Sequence, residues 1–114
     1  MDELLKQALL YDFYGELLTD HQKEIYEQFI LEDLSLGEIA GDAGISRQGV
    51  HDLVKRCDRT LQEYEEKLHL VSRFLTVKEQ IHKIREILDQ EPAEDISVLK
   101  SEIRKISDEI LEEL

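Results

Sequence analysis

Four basic side chains, Arg47, Lys55, Arg56 and Arg59, fall within residues 47–59 of a chain that is otherwise rich in acid. Interleaved with them are Gln48, His51 and Asp52. A guanidinium spans the edge of a guanine and a side-chain amide pairs with adenine, so these are residue types that read a duplex from its major groove. At helical spacing, Arg47, Gln48, His51, Asp52, Lys55 and Arg59 share an outward surface. Arg47 and Gln48 would stand in the first turn, where a recognition helix touches bases, and Lys55 and Arg59 further along would meet phosphates.

Other chemistries find no such grouping. His21, His51, His69 and His82 are scattered, and none stands four residues from another His or Cys, the spacing a helical metal site uses. The glycines at 37, 41, 44 and 49 do not form a phosphate-binding loop. With no nucleophile and base set, neither an enzyme nor a cofactor is expected, and no residue is assigned a catalytic or metal-binding role. Cys57 is the single cysteine, so no intramolecular disulfide forms. Its spacing from Val50, Val54 and Leu61 predicts a core thiol acting as a small hydrophobe.

The elements that would position the reading residues are legible around them. Ser35 and Glu38 form a capping box at the start of a short helix with Leu36, Ile39, Ala40 and Ala43 on one face. Gly44 supplies a residue that leaves a helix with positive φ. Ser46 then caps a second helix, with Val50, Leu53 and Val54 inward. This is the pattern of a helix-turn-helix. Ahead of it, Thr19 and Gln22 predict another capped helix, bracing the motif through Ile25, Tyr26, Phe29 and Ile30. Residues 3–18 predict a helix whose Tyr11, Phe13 and Tyr14 lid the core.

Beyond the motif, Val50, Val54, Cys57, Leu61, Tyr64, Leu68, Val71 and Leu75 alternate spacings of four and three, a heptad seam that predicts one long helix. The stripe drifts to Leu70, Phe74, Val77, Ile81, Ile84 and Leu88, with a kink or break expected near Thr76. Pro92 ends it, and Ile96, Leu99, Ile103, Ile106 and Ile110 predict a last helix either folded back on residues 77–88 or paired with another copy. The fold class is therefore all-α: a helix-turn-helix domain over residues 1–75 and a helical extension over 76–114 serving dimerisation or docking. Leu61, Tyr64, Leu68, Phe74, Ile81 and Leu88 predict a homodimer, because together they would leave a large apolar patch on a monomer. Neither a signal segment nor an apolar run near twenty residues is present, which predicts a cytoplasmic protein with no membrane insertion.

Tyr11-Asp-Phe-Tyr, Leu34-Ser-Leu-Gly-Glu-Ile-Ala, Ser46-Arg-Gln-Gly-Val and Leu61-Gln-Glu-Tyr-Glu-Glu-Lys-Leu-His-Leu70 together resemble the YlxM family of small bacterial proteins. The resemblance implies a three-helix DNA-binding bundle, of the sigma-factor region-four or winged-helix type, at the centre of an all-helical chain. It also implies DNA binding, and a link to the signal recognition particle pathway, because family genes lie beside those of its GTPases.

Charge cuts across the DNA reading. The net charge is −13, yet residues 1–46 contribute −9 and residues 60–114 contribute −6, while residues 47–59 carry four bases against two acids. Phosphate neutralisation supplies most duplex affinity, and the surrounding acid acts over a Debye length of about 8 Å. Weak or assisted DNA binding by a regulator is one expectation. The alternative is an acidic docking module, with Glu63, Glu65 and Glu66 on its surface, that binds a signal recognition particle GTPase or its complex without reading DNA.

Overall fold

The computed structural model describes residues 2–90 and 95–114. Six α-helices occur there, with no strand: α1 (Glu3–Tyr14), α2 (Asp20–Ile30), α3 (Leu36–Ala43), α4 (Arg47–Leu68), α5 (Leu70–Asp89) and α6 (Ile96–Glu113). A single 3-10 turn, Gly15–Leu17, follows α1. The break expected at Pro92 lies outside the described residues. None of these helices is long and apolar enough to cross a membrane.

Local chemistry sets the helix starts where the sequence places them. Thr19 Oγ1 accepts from the Gln22 amide at 3.2 Å while Gln22 Oε1 accepts from the Thr19 amide at 3.0 Å. Ser35 and Glu38 make the same reciprocal pair at 3.1 and 3.3 Å. Each box satisfies two amides that a helix start leaves without partners. Gly44 ends α3 with φ 70° and ψ 28°, and its amide donates to the Ala40 carbonyl at 3.0 Å. Ser46 Oγ then accepts from the Gly49 amide at 2.9 Å and starts α4. The helix-turn-helix is thus built from contacts no more than four residues apart.

The chain divides into two compact units, Met1–His69 and Leu70–Leu114, ahead of the boundary expected after residue 75. In the first, α1, α2 and α3 pack on one face of α4. Leu10, Tyr14, Ile25, Tyr26, Ile39, Val50, Val54, Cys57 and Leu61 are buried there. Each such aliphatic side chain contributes roughly 1.5–3 kcal/mol by leaving water. Burial pushes the Cys57 thiol up to about 11, so it stays protonated and inert at neutral pH.

Polar bonds tie the same helices together. Asp58 on α4 accepts from the Tyr26 hydroxyl of α2 at 2.5 Å and from Gln7 Nε2 of α1 at 3.0 and 3.1 Å. The Tyr14 hydroxyl donates to Glu65 at 2.6 Å, and Tyr14 stacks on Tyr64 with centroids 6.0 Å apart. Tyr11 donates to Glu27 and packs its ring near that of Tyr26.

These contacts correct two expectations. The first half of the heptad seam is not an intermolecular stripe, because Leu61 is wholly buried and Tyr64 is half-buried in the first unit's own core. Nor does α4 run through to Thr76. It stops at Leu68, since His69 adopts φ 58° and ψ 25° while its amide closes the last turn on Glu65 at 2.9 Å. Left-handed backbone at a residue with a Cβ costs about 1–2 kcal/mol and usually falls to glycine, yet here histidine takes it, and no glycine or proline marks the break in the sequence.

In the second unit α6 packs along α5. Lys83, Glu86, Ile87 and Gln90 line the seam with Glu102, Lys105, Ile106 and Glu109, and Ile106 is buried. Leu99, Ile103 and Ile110 are half-buried, whereas Ile96 at the helix start is exposed.

Candidate nucleic-acid interface

Ser46 fixes the first residue of α4, and thereby the rotation of every side chain that follows. Val50, Val54, Cys57 and Leu61 turn into the core. Gln48, Asp52, Lys55 and Arg59, spaced four, three and four apart, form a line on the opposite face. At 1.5 Å per residue the line runs roughly 16 Å. Arg47 and His51 flank it. All six are exposed, so the structure brings together every residue the sequence placed on the reading surface.

Their charges are uneven in availability. Arg47, Lys55 and Arg59 form no ion pair with a described residue, which leaves them open to an anion. Gln48 Nε2 donates to Asp52 Oδ1 at 2.9 Å, and His51 Nδ1 lies 3.4 Å from the same oxygen. Asp52 therefore stands at the centre of the surface as a hydrogen-bond acceptor. Of the two acids in residues 47–59, Asp58 is committed to Tyr26 and Gln7.

A depression of about 490 Å³ opens where the starts of α3 and α4 meet, lined by Leu36, Arg47, Gln48 and His51. Leu36 lies at helical spacing with buried Ile39 and Ala40, and it is half-buried. The Gln48–Asp52 bond was missed by sequence reasoning, although its spacing of four residues is the signal for a side-chain pair on one helix face. Leu53, expected inward, is half-buried, and Ala43 is exposed at the end of α3. Among the described residues, no group of three or more His, Cys, Asp or Glu side chains is arranged to hold a metal ion.

Comparison with known proteins gives the fold its relatives. The family model described as "Putative helix-turn-helix protein, YlxM / p13 like" matches residues 1–106. A UPF0122 protein of Caldanaerobacter subterraneus subsp. tengcongensis is 52% identical over 87 residues, which is 76% of this chain and 74% of the relative. One from Thermoanaerobacter sp. is 46% identical over 113 residues, covering 97% and 96% of the two chains. One from Acetivibrio thermocellus is 43% identical over 114 residues, covering 100% and 97%.

Proposed function

Because the chain belongs to the YlxM/p13-like helix-turn-helix family, we propose that it is a DNA-binding regulatory protein of the cytoplasm that lays the start of α4 in the major groove. The observation that carries this reading is the exposed face of α4, where three cations with no ion-pair partner among the described residues stand on a helix whose start is fixed by Gly44 and Ser46. Arg47 and Gln48 reach base edges, and Lys55 and Arg59 meet phosphates. The protein acts as a binding module and not as an enzyme.

Net charge sets the strength of the interaction. A protein of net charge −13 that contributes two or three phosphate contacts has a shallow salt dependence, with a slope of about −2 to −3. Binding is therefore weak, and pairing of two copies would raise it by presenting two α4 helices about 34 Å apart. Ile81 and Leu88 on α5, 47% and 57% exposed, are among the apolar side chains offered to such a homodimer.

Fluorescence anisotropy against a pool of genomic duplexes at low salt tests the proposal. Arg47→Ala with Gln48→Ala should remove sequence preference, at about 1–3 kcal/mol for each lost base contact, and leave helicity intact. Lys55→Ala with Arg59→Ala should weaken every duplex alike and flatten the salt slope. No duplex binding by the wild type at low salt refutes the reading.

A second reading is favoured by charge alone. The net charge of −13 suits an acidic helical surface docking on a basic partner, and the family resemblance would make that partner a GTPase of the signal recognition particle or its complex. In that case the α4 substitutions leave the cellular role untouched and charge reversal at Glu63 and Glu66 damages it. Glu65 is unsuited to this test, because it accepts from Tyr14.

A further inference from the structure

Asp52 is an acid in the middle of a surface meant to approach phosphates, and its bonding suggests why it stands there. We propose that Asp52 is a positioning residue that sets the Gln48 amide to read adenine and reject guanine, an inference that rests on the duplex-reading function above.

The argument begins with what each group can donate. A carboxylate only accepts hydrogen bonds, so the partner it holds at 2.9 Å is the Gln48 nitrogen and not the carbonyl oxygen. A glutamine amide has two N–H groups and one oxygen. Once Asp52 takes one N–H, the amide keeps one donor and one acceptor. In the major groove adenine presents an acceptor at N7 and a donor at N6, the complement of that pair. Guanine presents two acceptors, N7 and O6, and would set its O6 against the Gln48 oxygen. An unrestrained amide can turn both N–H groups toward guanine; one held by Asp52 cannot. His51 Nδ1, at 3.4 Å from the same oxygen, is too distant to displace Gln48 from it.

Asp52 side-chain exposure of 58% means that its replacement leaves the core untouched. The test is selection from a random duplex library with the full-length wild type, Gln48→Ala, Asp52→Ala and Asp52→Asn, each checked for helicity. The wild type should select a motif with one adenine position, and Gln48→Ala should lose that position. Discrimination at a bidentate contact is roughly 5–150-fold. Asp52→Ala should bring adenine and guanine there to near parity while raising affinity for non-specific duplex, because an acid has gone. Asp52→Asn is the intermediate variant. Asparagine keeps one oxygen that can still hold a Gln48 N–H, but its own NH2 can instead donate to the Gln48 oxygen and free both Gln48 N–H groups, so the position should turn from adenine to mixed adenine and guanine, less completely than in Asp52→Ala, while neighbouring positions stay fixed.

A role confined to helix structure would weaken all positions together, and that result overturns the proposal. So does an adenine preference that survives both Asp52 variants, or a cytosine position lost with Asp52, which would make the carboxylate itself the reader. If Asp52 variants fail in this way while the wild type still selects a motif, DNA reading stands and only the positioning role falls. If the wild type selects nothing, both fall together.

Discussion

Replacing Asp58 with alanine removes an acceptor that joins α4 to both α1 and α2. Tyr26 is fully buried, and its hydroxyl donates to Asp58 at 2.5 Å. Without that oxygen the hydroxyl is left in an apolar setting at about 1–3 kcal/mol, and the two contacts from Gln7 are lost as well. Asp58 is only half-buried, so water replaces part of what Gln7 loses. The total for Asp58→Ala is then about 2–4 kcal/mol, a large share of the roughly 5–15 kcal/mol that holds a typical domain folded. Tyr26→Phe removes the hydroxyl and leaves Asp58 its bonds from Gln7, so it should cost less, about 1–2 kcal/mol. A double-mutant cycle should return a coupling of about 1–2 kcal/mol between the two. All four tyrosines, at positions 11, 14, 26 and 64, lie in the first unit, and there is no tryptophan. Urea melts followed in the tyrosine band of the near-ultraviolet circular dichroism therefore report the first unit. Asp58→Ala melting within about 0.5 kcal/mol of wild type, with no coupling to Tyr26, would show that the buried hydroxyl finds another partner and would refute the reasoning.

Three further outcomes are expected. Gly44→Val should cost about 1–3 kcal/mol from backbone strain, since a Cβ there meets open space; Gly44→Asn, which tolerates positive φ, should cost less in the same urea melts. Gly15→Ala should destabilise the first unit by about 1–3 kcal/mol for the opposite reason, because its Cβ would stand 2.7 Å from Tyr11 Cε2 although the backbone at Gly15 is ordinary; a variant melting like wild type would mean that the Tyr11 ring moves aside freely. Burial first, and then the Asp58 carboxylate, raise Tyr26 above the ordinary tyrosine value of 10.0. The folded state therefore holds that proton more tightly than the unfolded chain, and its stabilising effect is complete below pH 10 and lost as pH rises above it. Chemical denaturation from pH 8 to 11 should show this decline, and Tyr26→Phe should make it shallower.

The sequence by itself determined the helix-turn-helix and the face it presents. Ser35 with Glu38, Gly44, and Ser46 with the Gly49 amide act within four residues of each other, so their geometry follows from residue type and order before any packing exists. Once Ser46 fixes where α4 starts, the helical period alone puts Arg47, Gln48, His51, Asp52, Lys55 and Arg59 outside and Val50, Val54 and Cys57 inside. Tertiary structure decided which partners the remaining residues take. Asp58 reads in sequence as one more surface acid; its bonds run to Gln7 and Tyr26, 51 and 32 residues away, and no periodicity encodes such pairs. Leu61 and Tyr64 satisfy a heptad whether α1 or a second copy covers them, because an apolar stripe specifies burial and not the identity of what buries it. His69 ends α4 in left-handed backbone with no glycine to announce it. Local rules fix what a residue does to its own backbone, and only the assembled helices fix which distant side chain it meets.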